Sequence, residues 1–190
     1  MRYGSPKALE LVGGTRVVDR VAAALHDALD DEIVAIVNDA QLADAIGMPW
    51  RADTLEGAGA LAGVHAALLW AVERDRRGAF VAGCDMPLID AALVREIVSR
   101  RADADIIIPE SEGPRGLEPL CAWYATACIP AIEAAVARGD RRMIGFHDAV
   151  SVERVGLDVV RTFGEPSRIF LNLNTPADRA VAERWLESGS

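Results

Sequence analysis

Cysteine is scarce in this chain of 190 residues: Cys84, Cys121 and Cys128 are odd in number and show no C-x-x-C spacing. That excludes a disulfide framework and gives no sign of a structural zinc site, and it suits a reducing cytoplasm. Positive charge is also in deficit, with 20 Lys and Arg against 29 Asp and Glu for a formal net charge of −9. Nonspecific attraction to nucleic acid or anionic lipid is therefore disfavoured, and a phosphorylated ligand needs a local cation. There are only three histidines, His26, His65 and His147, none in a paired spacing or beside a nucleophile motif, so no Ser-His-Asp or Cys-His reading survives. The four tryptophans form no stacking array for bases. The longest uncharged stretch, 57–72, is too short for a membrane span and contains Gly57, Gly59, Gly63 and His65. The first seven residues have no apolar core of a secretory signal.

What is present is an ordinary globular composition, 51% apolar and 26% charged, with no internal repeat, linker or low-complexity tract. The length suits one domain spanning residues 1–190. Val17, Val18, Val21, Leu25 and Leu29 fall on one helical stripe, followed at once by the apolar run 32–37. Leu61, Val64, Leu68 and Val72 repeat the pattern before a strand at 79–82, and a helix at 90–101 precedes a strand at 105–109. Strands without polar alternation, separated by helices, indicate an α/β fold with a mostly parallel sheet covered on both faces. Further along come a glycine-rich turn at 113–116, a strand at 119–124 and a helix over about 126–138. Short strands are expected near 151–155 and 168–171, then a last helix opening at Thr175-Pro176.

Ligands of open α/β sheets collect beyond the carboxyl ends of the strands, so the polar residues there are the candidates. The strand at 79–82 ends in Gly83-Cys84-Asp85-Met86-Pro87. Asp85 could be a Mg²⁺ carboxylate, since that ion takes one or two protein carboxylates and leaves room for phosphate and water, or a turn or cap aspartate. Asn38 and Asp39 follow the strand at 33–37 and read as a base contact or as a helix cap. Asp53 precedes a loop with Gly57 and Gly59, which suits close backbone approach to a ligand or an ordinary tight turn. Asn172 and Asn174 flank Leu173 in an extended segment, which points both amides out of the core together; Asn174 could instead serve the turn into the last helix. Arg141 and Arg142 are either a phosphate clamp or a solvated helix start.

Six segments, in this order and spacing, resemble the molybdenum cofactor guanylyltransferases of the nucleotidyltransferase superfamily. They are Gly4-Ser5-Pro6-Lys7-Ala8-Leu9, Gly59-Ala60-Leu61-Ala62-Gly63, Cys84-Asp85-Met86-Pro87, the run 118–124, Gly139-Asp140-Arg141-Arg142, and Asn172-Leu173-Asn174-Thr175-Pro176. The resemblance implies a three-layer α/β/α fold and transfer of GMP from GTP to the phosphate of molybdopterin, with pyrophosphate released. It implies Mg²⁺ held by Asp85, Lys7 on the nucleotide phosphates, Asp53 near the nucleotide, Asn38 as a base contact, and Asn172 and Asn174 on the pterin side. GTP and molybdopterin are the implied partners, with molybdoenzyme maturation proteins as further ones, and neither nucleic acid nor membrane. The alternatives are a cytidylyl or other nucleotidyltransferase, or a catalytically silent nucleotide-binding protein. In the family a buried strand and a Gly-Gly, Ser, Arg phosphate loop come first, and this sequence opens at the end of that loop with Arg2, Gly4 and Lys7. The expectation is that an apolar strand followed by Gly-Gly and Ser precedes Met1, and lies between the strands at 33–37 and 79–82.

Overall fold

The computed structural model describes residues 7–114 and 116–188, so Arg2, Gly4, Ser5, Pro6 and Arg115 of the sequence motifs lie outside the described residues. After a 3-10 turn at Lys7–Leu9, β1 (Leu11–Val12) and β2 (Thr15–Arg16) form a hairpin. Its two-residue turn is Gly13-Gly14, both with positive φ, the combination that matches the twist of the flanking strands. Next come α1 (Val17–Ala28), β3 (Ala35–Ile36), α2 (Ala40–Ile46) and β4 (Trp50–Arg51). They are followed by α3 (Ala60–Glu73), β5 (Gly78–Ala82), α4 (Ala91–Ser99) and β6 (Ile106–Pro109). The chain continues through β7 (Cys121–Ala125), α5 (Ile129–Ala137), β8 (Val152–Val155), α6 (Leu157–Arg161), α7 (Pro166–Ile169) and α8 (Pro176–Ser188).

The main sheet has the order β5-β7-β6-β8. Strand β7 is antiparallel to β5 and β6, while β6 and β8 are parallel, so three of the four strands share a direction and the sheet is mixed. Side chains alternate across it with period two. Ile107, Cys121 and Trp123 pack with Val21 and Leu25 of α1 and Leu93, Val94 and Ile97 of α4. Ile106, Ile108, Ala122 and Tyr124 pack with Leu61, Val64 and Leu68 of α3 and Ile132 of α5. Helices thus cover both faces, which makes three layers. The β5–β7 seam is close enough to require glycine: a Cβ on Gly78 would lie 2.2 Å from the Tyr124 carbonyl oxygen.

Strands β3 and β4 form a separate parallel pair, with Ala35 opposite Trp50 and Ile36 opposite Arg51. Among the described residues no ladder joins β3 to β5. The strand expected over 33–37 is therefore shorter than its apolar run.

One expected strand is a helical turn. Residues 168–171 fall in and after α7, where Arg168 and Ile169 donate their amides to the Glu165 carbonyl. Pro166 at the first helical position supplies the φ for that turn, and Ile169 and Phe170 bury in the cluster of α1 and α4. The last helix starts where Thr175-Pro176 indicates.

Candidate active site

Asp85 stands three residues beyond Ala82, the last residue of β5, and its side chain is 23% exposed. Gly83 leaves the room for it: a Cβ there would sit 3.0 Å from Asp85 Oδ1. Lys7 approaches from the turn before β1, with Nζ 3.9 Å from Asp85 Oδ2. The same Nζ donates a 2.5 Å hydrogen bond to Asn174 Oδ1, across 167 positions of sequence. The backbones also meet, since the Leu173 amide donates to the Asp85 carbonyl at 2.9 Å. Lys7, Asp85 and Asn174 thus come together at the end of β5. Burial pushes the Asp85 carboxyl above the ordinary range, and the nearby Lys7 charge opposes that shift. A carboxylate held partly out of water without a full counter-charge suits the arrival of a cation.

The 171–175 segment owes its shape to a residue that the sequence reading did not single out. Asp178 Oδ2 accepts from the amides of Asn174 at 2.9 Å and Thr175 at 2.7 Å, while Thr175 Oγ1 accepts from the Asp178 amide at 3.3 Å. This reciprocal cap of α8 fixes the backbone that presents Asn174. The spacing Thr175-x-x-Asp178 was the available signal. Asn172 behaves differently. Its Nδ2 donates back to the Phe170 carbonyl at 3.0 Å, so of the two amides expected to point out together only Asn174 reaches Lys7.

A second group lies at the ends of β3 and β4. Asn38 Nδ2 donates to Asp53 Oδ2 at 2.8 Å, and the Asp53 amide donates to Asn38 Oδ1 at 2.9 Å. The pair ties the two strand tips together. Asp39 is the cap of α2, accepting from the Gln41 and Leu42 amides. Beyond Asp53, Gly57 and Gly59 both adopt positive φ, and Gly59 starts α3 with no side-chain cap. Ala62 donates its amide to the Gly59 carbonyl at 3.1 Å, while the amides of Ala60 and Leu61 have no acceptor among the described residues, the usual state of a helix start that can face an anion.

The arginine pair divides. Arg142 turns back onto Asp140, with Nε–Oδ1 at 3.0 Å and Nη2–Oδ2 at 2.7 Å, and holds that carboxyl down to about 2. The guanidinium of Arg141 lies over the glycine loop, 3.6 Å from where a Gly57 Cβ would be, and among the described residues makes no hydrogen bond or ion pair. Of the two, Arg142 is committed to an ion pair, while among the described residues Arg141 forms none.

Among the described residues no three His, Cys, Asp or Glu side chains cluster to hold a metal on their own. Asp85 is a single carboxylate. That matches an octahedral cation which takes most of its oxygens from substrate phosphate and water.

A sequence profile of the MobA-like NTP transferase domain matches residues 1–151. The chain belongs to that family. It is 31% identical over 98% of its length to a probable molybdenum cofactor guanylyltransferase of Pelotomaculum thermopropionicum, covering 88% of that protein. It is 29% identical, again over 98% of its length, to the molybdenum cofactor guanylyltransferase of Desulfosudis oleivorans, covering 90% of it. In three dimensions it is similar to the crystal structure of molybdopterin-guanine dinucleotide biosynthesis protein A from Archaeoglobus fulgidus. That match has a TM-score of 0.79 and 25% identity, and covers 98% of this chain and 93% of the other. Nucleotidyl transfer, the chemistry in the family's name, depends on positioning and charge neutralisation more than on a protein nucleophile.

Proposed function

We propose that this protein is a molybdenum cofactor guanylyltransferase. An oxygen of the terminal phosphate of molybdopterin attacks the α-phosphorus of GTP, the bond from that phosphorus to the bridging oxygen breaks, and the electron pair leaves with pyrophosphate. The observation that carries the reading is the convergence of Lys7, Asp85 and Asn174 at the tip of β5, in a chain whose relatives bear that name over nearly its whole length.

The residues divide the work as follows. Asn38 and Asp53 take the nucleoside end, and the α3 amides with Arg141 take phosphate oxygens. Lys7 neutralises the leaving pyrophosphate, which an acidic protein must do locally. Asn174, already bonded to Lys7, orients the acceptor phosphate, and Asn172 stiffens the segment behind it. Asp85 is the residue to hold Mg²⁺, which supplies Lewis-acid polarisation and charge neutralisation at the phosphates when bound. No helix among the described residues is long and apolar enough to cross a membrane. A cytoplasmic enzyme that draws on GTP and molybdopterin and passes its product to molybdoenzyme maturation proteins suits this reading.

The test is turnover with molybdopterin and GTP, CTP or ATP side by side, with Mg²⁺ present or chelated. GTP should be preferred, and Asp85→Asn should lower turnover by at least ~10²-fold while the fold persists. CTP as the better donor, or near-normal Mg²⁺-dependent activity in the variant, would refute the nucleotide or the metal assignment respectively.

A further inference from the structure

A cleft of about 460 Å³ lies apart from the site above: none of Lys7, Asn38, Asp53, Asp85, Arg141 and Asn174 lines it. It opens between α1, the segment 87–91 that leads from the β5 tip into α4, and α7. Its walls are apolar where Ile89, Phe163 and Ile169 meet, and two guanidiniums, Arg20 and Arg168, look onto them.

The charges in the cleft do not balance locally. Of its carboxylates, Asp19 is taken by Arg16 through bonds of 2.6 and 2.7 Å, while Asp90 caps α4 through the Leu93 amide at 2.9 Å and keeps its charge, so Arg20 and Arg168 against Asp90 leave the lining with a surplus of one positive charge. Arg20 donates to the carbonyls of Val12 at 2.7 Å and Gly13 at 3.4 Å, which orient its guanidinium but carry no counter-charge. Arg168 has no acceptor among the described residues, and its Nε is shut off from solvent without a partner. Its remaining neighbour is the Trp185 ring, with Cζ 6.0 Å from the centroid. An enclosed donor without an acceptor is costly, and water at Nε would satisfy the bond but not the charge. In a chain of net charge −9, two guanidiniums that form no ion pair among the described residues and line one largely apolar cavity select for an anion that carries an apolar body.

We propose that this cleft is a second binding site, for a small organic anion whose single carboxylate or phosphate is held by Arg168 and Arg20 and whose apolar or aromatic body rests on Ile89, Phe163 and Ile169. A planar guanidinium can take either headgroup through two parallel hydrogen bonds. The site is independent of the transfer reaction, although its wall 87–91 begins two residues after Asp85.

The experiment titrates the full chain, saturated with GTP so that the nucleotide site is blocked, with phenyl phosphate, benzoate and inorganic phosphate. Calorimetry is the readout, with the change in total tryptophan fluorescence, to which Trp185 contributes, beside it. Saturable binding of phenyl phosphate or benzoate is expected, at least ~10-fold tighter than inorganic phosphate, and the tighter of the two identifies the headgroup. Arg168→Ala should weaken it by at least ~10-fold, and Arg168→Lys should lie between, because it keeps the charge but not the fork. Should Arg168→Ala fail to fold, Arg20→Gln gives the same test from the other wall. Absence of saturation, equal affinity in the arginine variants, or inorganic phosphate binding as tightly as phenyl phosphate would overturn the proposal.

Discussion

The four-stranded sheet and the β3–β4 pair are built to different standards. All four residues of β6 are buried, as are Cys121 to Tyr124 of β7, and both faces are sealed by helices. Strands β3 and β4 are two residues each, and their residues are half-buried or exposed. What fixes their tips is the reciprocal Asn38–Asp53 pair more than packing. The difference separates two tasks. The large sheet holds the shape that presents Asp85, and the small pair can adjust because little buried area depends on it, which suits the nucleoside role proposed for it.

The sharpest way to break this contrast is to cut one isoleucine from each region. Ile107→Ala empties a fully buried position between α1 and α4 and should cost about 2–5 kcal/mol. Ile36→Ala removes a half-buried side chain and should cost well under half as much. Urea denaturation of both variants measures this, and equal losses would show that β3–β4 is part of the same cooperative core. A smaller effect is expected at the strand tips. Asn38→Ala deletes both bonds to Asp53 at an exposed position, so it should lower stability by about 1 kcal/mol or less. The KM for GTP should rise with kcat little changed, and a drop in kcat at constant KM would place Asn38 on the wrong side of the chemistry.

The smallest effect is a slope with pH. Burial raises the Asp85 carboxyl above its unfolded value, so between the two the folded form binds more protons and stability falls as pH rises through that window. Asp85→Asn removes the cost of keeping that charge partly desolvated. The variant should therefore melt slightly higher than the parent at pH 7 and lose that advantage as pH drops below the unfolded carboxylate range, about 4. A variant less stable at pH 7 would mean that the Lys7 contact outweighs the desolvation.

Legibility followed burial. Ile106 to Ile108 read as a strand because both faces are covered, and no polar residue interrupts the run. The direction of β7 was hidden, since Cys121 to Ala125 would look the same whether paired parallel or antiparallel. The segment 168–171 misled because α7 has four residues, too few for a 3.6-residue period to differ from an apolar strand. In the site, Asp85 stood out from its strand-end context, and Asp39 was weighed as the cap that it is. The pairing of Asn38 with Asp53, the division of Arg141 from Arg142 and the reach of Lys7 to Asn174 were not legible. Each depends on where a side chain turns once distant segments have met.

The hydrogen bond from the Leu173 amide to the Asp85 carbonyl belongs wholly to the main chain. No side-chain exchange deletes either partner, and only proline at 173 would remove the donor. The seam between the Asp85 and Asn174 segments is thus held by atoms that every other amino acid supplies. Side chains around it can be exchanged without losing the contact that keeps the β5 tip and the segment before α8 in register.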